Sequence, residues 1–189
     1  MKIFIFGGTF DPPHLGHYQV INRCLSDCDK FILMPTSLSP HKNKKPIASN
    51  YDRIQMLKLM ISDFNENAVI DDYELKATSS PNFTIDSINY LSEKYFDCEL
   101  VLVLGKDQYI NFNKWKSYRK IKDLVDIICV NRPSIDSPID ADCIYLSDLN
   151  CNISSSMIRI KARKNINQIS QLVNTQVFDY IKRKKLYSE

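Results

Sequence analysis

Leu100-Val101-Leu102-Val103-Leu104 is an unbroken apolar run that stops at Gly105. A strand that is apolar on both faces needs cover on both, as the inner strands of a parallel sheet do. A second run, Ile3-Phe4-Ile5-Phe6, stops in the same way at Gly7-Gly8. Elsewhere strand-sized runs alternate with segments of helical period. Strands are expected at residues 2–6, 30–34, 69–75, 99–104, 126–130 and 143–146, the third being more polar and so better placed near a sheet edge. Helices are expected at residues 15–28, 50–64, 84–95, 154–163 and 175–184. Val20, Ile21, Cys24 and Leu25 form the stripe of the first helix, Ile54, Leu57 and Ile61 that of the second, and Ile85, Ile88 and Leu91 that of the third.

Strands alternating with helices imply right-handed crossovers and a mainly parallel sheet with helices on both faces. The expected fold class is α/β, with residues 1–189 forming a single Rossmann-like domain. No internal repeat or low-complexity tract divides the chain. Apolar residues at 44% and charged residues at 25% suit one ordinary core. In such sheets ligands bind beyond the C-terminal strand ends, where the strand order reverses. The distinctive residues fall there: Gly7 after the first strand, Pro35-Thr36 after the second, and Gly105-Lys106-Asp107 after the 99–104 strand.

The run from Gly7-Gly8-Thr9-Phe10-Asp11-Pro12 to His14 and His17 is the richest in chemistry. It holds two of only 3 histidines in the chain. Two glycines let a backbone approach a ligand closely. The imidazoles fall at the expected start of a helix, where unpaired N–H groups favour phosphate. Histidines there can donate hydrogen bonds to phosphate oxygens as charge builds up. The run is neither a Walker loop nor a G-x-G-x-x-G fingerprint. A His-x-x-His pair alone is equally compatible with capping, packing or metal binding.

Other signals are weaker singly. Residues 37–49 form a long polar loop carrying His41, Lys42, Lys44 and Lys45, of the length that lids and binding loops have. Its lysines could neutralise a polyphosphate or be solvated. Ser154-Ser155-Ser156 opens a helix and offers caps and hydroxyls, with Arg159 a turn later able to fork onto phosphate. Trp115, the only tryptophan, is core, a surface anchor, or a platform for a flat heterocycle. Lys182-Arg183-Lys184-Lys185 suits the C-terminal end of a helix dipole.

Bulk properties exclude several classes. A net charge of +3 implies no general field for nucleic acid or membrane. The longest apolar runs are too short to span a bilayer. Met1-Lys2 leads straight into a core strand with no cleavage site, so a cytoplasmic protein is expected. The cysteines stand at 24, 28, 98, 129, 143 and 151, without a C-x-x-C pair or a zinc set. They are expected to be reduced and mostly buried. No metal ligands are expected.

Taken together, the chain resembles the bacterial nicotinate-nucleotide adenylyltransferases, of the nucleotidyltransferase superfamily with the HxGH motif. The resemblance runs through Gly7–His17, the Pro35–Lys42 loop and the Tyr51–Leu57 helix. It continues through Ser80-Pro81-Asn82-Phe83-Thr84, Gly105-Lys106-Asp107, Trp115, Asn131-Arg132-Pro133 and Ile153–Arg159. It implies adenylyl transfer from ATP to nicotinate mononucleotide, giving deamido-NAD and pyrophosphate by in-line attack without a covalent intermediate. His14, His17, Lys42 and Arg159 would be catalytic. Gly7, Gly8, Thr9, Phe10, Gly105, Asp107, Ser155 and Ser156 would bind ATP. Asn82, Phe83, Thr84, Lys106 and Trp115 would bind the mononucleotide, and Mg²⁺ would arrive with ATP. The partners implied are these two nucleotides, with no nucleic acid or membrane; a homo-oligomer is left open.

Three positions depart from the family pattern. Asn82-Phe83 stands where many members have Ser-Tyr, and Lys106 where a small residue is usual. A cation at Lys106 would favour the acid over the amide, or project to solvent. Three alternatives stay open: an enzyme preferring nicotinamide mononucleotide, a noncatalytic nucleotide sensor, and a metal protein built on His-x-x-His. Phosphopantetheine adenylyltransferases usually carry Thr at the position of His14. Cytidylyltransferases lack the His41-Lys42 loop and the Thr84–Trp115 set.

Overall fold

A computed structural model of the chain describes residues 1–38, 45–77, 82–130, 143–147, 149 and 152–188. In chain order its elements are β1 (Lys2–Gly8), α1 (Leu15–Cys24), β2 (Lys30–Pro35), α2 (Asn50–Met60), β3 (Ala68–Ile70), α3 (Tyr73–Lys76) and α4 (Thr84–Lys94). Then come β4 (Glu99–Gly105), α5 (Lys106–Tyr109), α6 (Tyr118–Leu124), β5 (Asp126–Val130), β6 (Ile144–Leu146), α7 (Ser155–Lys164) and α8 (Thr175–Lys184).

The strands pair in the order β3-β2-β1-β4-β5-β6, and each neighbouring pair is parallel. This is a Rossmann-like α/β sheet, with its order reversing between β1 and β4. Alternation along the strands explains why both faces are covered. Phe4, Phe6, Phe31, Leu33, Val101 and Val103 face one way and pack with Ile21, Leu57, Ile158 and Val177 from α1, α2, α7 and α8. Ile3, Ile5, Ile32, Leu100, Leu102 and Leu104 face the other and pack with Ile88 of α4 and Ile121 of α6. Each such side chain, fully buried, is worth about 1.5–3 kcal/mol in transfer from water.

Several elements differ from the expectation. The first helix stops at Cys24 and tightens into a 3₁₀ turn over Leu25–Asp27. The second stops at Met60, followed by 3₁₀ turns over Ser62–Asn67 that are broken by a kink at Asn65, φ 51° and ψ -138°. The expected 69–75 strand is at the sheet edge, but it ends at Ile70 and the chain turns helical at Tyr73. The cause is local: the Asp71 carboxylate accepts the Tyr73 N–H at 3.0 Å and so supplies a helix start instead of a continued ladder. Two short helices, α5 and α6, arise where no element was expected.

Of the described cysteines, Cys24 and Cys129 are buried and Cys28, Cys98 and Cys143 partly so, all as free thiols. Burial pushes the Cys28 thiol up to about 11 and the Cys129 thiol up to about 12, which keeps both protonated and unreactive. Cys151 lies outside the described residues.

Candidate active site

A cavity of about 1000 Å³ opens at the C-terminal ends of the strands. Its wall begins where β1 ends. Nothing lies within 4 Å of where a Gly7 side chain would begin, so that face is open to a ligand. A Cβ on Gly8 would meet the Phe10 ring at 3.0 Å. Phe10 folds back there by adopting a left-handed backbone, φ 49°, a conformation that costs a non-glycine residue roughly 1 kcal/mol. The ring is buried and stands edge-on to Phe6 at 5.8 Å and to His17 at 4.9 Å. Phe10 thus props His17 against the end of the sheet.

His14 caps α1 with an extended backbone, and its N–H donates to His17 Nδ1 at 3.2 Å. The two imidazoles stack with centroids 3.7 Å apart and planes 23° from parallel. Because His17 Nδ1 accepts, the neutral ring carries its proton on Nε2. That orients a donor away from the helix start.

Asp11 organises the loop between β1 and α1. Its carboxylate is buried and accepts the Ile47 N–H at 2.8 Å, the Ala48 N–H at 3.0 Å and the Tyr187 hydroxyl at 2.7 Å. Its carbonyl accepts from Arg159 Nη1 at 2.6 Å. Arg159 Nη2 donates to Ser156 Oγ at 3.2 Å, and Ser155 Oγ donates to the Pro12 carbonyl at 2.9 Å. The start of α7 is thereby fastened to the histidine loop. Arg53, fully buried, joins the first two strand ends from beneath. Its Nη1 donates to the Thr9 carbonyl at 2.7 Å and the Thr36 carbonyl at 2.8 Å, and its Nη2 to Asn50 Oδ1 at 2.6 Å.

At the β2 and α4 side, Asn82 Oδ1 accepts from Ser37 Oγ at 2.6 Å and from the Ser37 N–H at 3.3 Å. Beside it Ser87 Oγ donates to Glu74 Oε1 at 2.6 Å. Burial pushes the Glu74 carboxyl above its ordinary value, against the opposing pull of that hydrogen bond. Trp115 stands edge-on to Phe112 at 5.4 Å.

Of the residues singled out from sequence, the cavity is lined by Gly7, Gly8, Thr9, Phe10, His14 and His17 from the first loop. Asn82, Phe83 and Thr84 line it at α4, Gly105 and Asp107 after β4, Trp115 before α6, and Ser155, Ser156 and Arg159 at α7. Lys106 is not brought there. It opens α5 with its side chain largely buried, and its ammonium lies 5.8 Å from the Tyr145 ring centroid, at β6. The strand-to-helix turn sends Gly105 and Asp107 to the cavity and the intervening side chain to the sheet's far edge. Lys42, with His41, Ser80, Pro81 and Asn131-Arg132-Pro133, lies outside the described residues. Residues to which the sequence assigned no role are Arg53, Tyr187, Glu74, Ser87 and Lys116. The first two act over long sequence distances that no local pattern encodes. Lys116 was adjacent to the unique tryptophan and could have been found from it.

Comparisons with known proteins bear on the family and the fold. The cytidylyltransferase-like family model matches residues 5–161. A Bacillus licheniformis protein named "probable nicotinate-nucleotide adenylyltransferase" is 32% identical over 188 residues, covering 98% of each chain. One of the same name from Leptospira interrogans is 34% identical, covering 98% of this chain and 96% of its own length. Among solved structures, the Plasmodium falciparum nicotinic acid mononucleotide adenylyltransferase complexed with NaAD superposes with a TM-score of 0.82. It is 22% identical and covers 98% of this chain and 97% of its own. The same enzyme complexed with APC gives a TM-score of 0.79 at 22% identity, covering 98% of this chain and 96% of its own. At that identity the likeness concerns the fold.

Proposed function

The chain belongs to the cytidylyltransferase-like family and, within it, to the nicotinate-nucleotide adenylyltransferases; from that membership we propose how its residues divide the work. The reaction is adenylyl transfer. A phosphate oxygen of nicotinate mononucleotide attacks the α-phosphorus of ATP, the bond to the bridging oxygen breaks, and pyrophosphate leaves as deamido-NAD forms. No protein nucleophile is required, so catalysis is positioning and charge stabilisation.

His14 and His17 hold the reacting phosphates and stabilise the charge that grows in the transition state, His17 by its Nε2 proton. The backbone of Gly7, Gly8, Thr9 and Phe10 lines the phosphates closely. Ser155, Ser156 and Arg159 grip the outer phosphates and the departing pyrophosphate. Lys42 adds charge from the 37–49 loop. Gly105 and Asp107 border the adenosine, and Asn82, Phe83, Thr84 and Trp115 frame the nicotinate, Trp115 by stacking. The observation that carries this reading is the meeting of both residue sets in one cavity, with the stacked histidines at the reversal of strand order.

The donors at the phosphate end are imidazole, hydroxyl, guanidinium and backbone N–H, which suit phosphate oxygens rather than a hard cation. Among the described residues no three His, Cys, Asp or Glu side chains gather as a metal set. That donor chemistry is compatible with magnesium entering on ATP. Bound to the polyphosphate, Mg²⁺ would supply charge neutralisation there. Among the described residues no helix is long and apolar enough to cross a membrane.

The test is pyrophosphate release from ATP and Mg²⁺ with nicotinate mononucleotide, nicotinamide mononucleotide and phosphopantetheine in parallel. Preference for nicotinate mononucleotide is expected. Equal use of the amide would keep the chemistry and remove the specificity. Turnover with phosphopantetheine alone would overturn the substrate, and silence with all three would favour a nucleotide sensor.

A further inference from the structure

The cation that sequence placed at Lys106 has a counterpart at Lys116. The Tyr118 N–H donates to the Trp115 carbonyl at 3.2 Å, and Ser117 takes a left-handed backbone at φ 57°, ψ 33°. Trp115 to Tyr118 is therefore a tight turn with Lys116 at its first corner. That turn presents Trp115 and Lys116 together to the cavity, and both line it.

Next to Lys116 stands Phe83, the residue directly before Thr84, the first residue of α4. Lys116 Nζ lies 4.2 Å from the centroid of the Phe83 ring. The charge thus reaches over from the tryptophan turn to the start of α4. Lys114 also lines the cavity, but its ammonium donates to Asn111 Oδ1 at 3.0 Å. Phe83 lacks the hydroxyl of a tyrosine, so the contact with the ring is a cation–π attraction and nothing stronger. A carboxylate arriving at Thr84 would draw the ammonium off the ring into a charge-assisted hydrogen bond. A carboxamide in the same place carries no charge to reward that movement.

We propose that Lys116 is the specificity-determining residue that makes this cavity prefer the carboxylate of nicotinate over the carboxamide of nicotinamide. The proposal rests on the adenylyl transfer described above. It assigns the choice to a side chain on the turn after Trp115 and removes it from Lys106.

The experiment compares kcat/KM for the acid and amide mononucleotides in the wild-type protein, Lys116→Met and Lys116→Arg, each at low and high salt. Lys116→Met should lower the acid-to-amide ratio about tenfold, the factor a single charged contact of 1.4 kcal/mol gives, chiefly through the KM of the acid. Lys116→Arg should restore most of it. The wild-type ratio should fall with salt, because an exposed charge is screened, and the Lys116→Met ratio should not. An unchanged ratio in Lys116→Met, or an equal loss for both mononucleotides, would overturn the assignment. So would a wild-type ratio indifferent to salt, a result that needs no variant to fold. Wild-type protein that turns over neither mononucleotide would instead overturn the reaction itself.

Discussion

Tyr187 donates its hydroxyl hydrogen to Asp11 Oδ1 at 2.7 Å, joining positions 176 residues apart. The last turn of the chain is thus fixed to the loop that carries His14. Tyr187 is buried, with a left-handed backbone at φ 62°. Burial, then the neighbouring Asp11, pushes its phenol far above the ordinary range, so it stays a donor at any physiological pH.

Tyr187→Phe keeps the ring and removes that donor. Hydrogen bonds to charged groups contribute about 1.5–3 kcal/mol, so the denaturant midpoint should fall accordingly. Because Asp11 also sets the loop beside Arg159, kcat should fall severalfold with both KM values nearly unchanged. Loss of stability with full kcat would confine Tyr187 to folding.

His17→Ala removes a ring braced by Phe10 at 4.9 Å and stacked on His14 at 3.7 Å. Turnover should drop about a hundredfold or more, as when an oxyanion donor is lost. Single-turnover formation of deamido-NAD is the direct measure. Full activity would take His17 out of the chemical step.

Trp115→Ala should raise the KM for the mononucleotide about threefold to tenfold, the range an aromatic stack supports. The KM for ATP should move little. An unaltered mononucleotide KM would return Trp115 to packing against Phe112.

Glu74 makes stability depend on pH. Burial holds its carboxyl above the ordinary 4.5 despite the Ser87 hydrogen bond. The folded state therefore binds this proton more tightly than the unfolded state. Its contribution to stability is fully present below 4.5 and is lost as pH rises through the raised folded value. Glu74→Gln mimics the neutral acid, so its stability relative to wild type should grow from acid toward neutral pH. Urea midpoints across that range decide it, and a constant difference would contradict the shift.

Much of this was legible in sequence because the signals were local. The Ile3–Phe6 and Leu100–Leu104 runs alternate between two buried faces, and 175–184 is the span α8 occupies. The first-loop motif and the residues near Thr84 and Trp115 reach one cavity because each follows a strand end or opens a helix. What was not legible lacked period or locality. α3 and α5 are single turns, shorter than any repeat can reveal. The direction of Lys106 depends on how α5 leaves β4, which its own residue type does not encode. Arg53 belongs to the Tyr51–Leu57 helix that carries part of the resemblance, but no local pattern there gives it partners. Only the folded chain brings the Thr9 and Thr36 carbonyls to it.

That guanidinium lies beyond the reach of dissolved ions. Salt at 0.1 M screens exposed charges over about 10 Å, but a group with no solvent contact keeps its field. Arg53 spends its hydrogen bonds on Asn50 Oδ1 and on the Thr9 and Thr36 carbonyls, Thr9 directly following the two glycines. Part of the potential met by an incoming polyphosphate therefore comes from a buried charge, beside the more exposed one of Arg159. The overall +3 of the chain is a poor guide to it: recolouring the outer surface with acidic side chains would alter solubility and encounter rate, while that buried contribution endured.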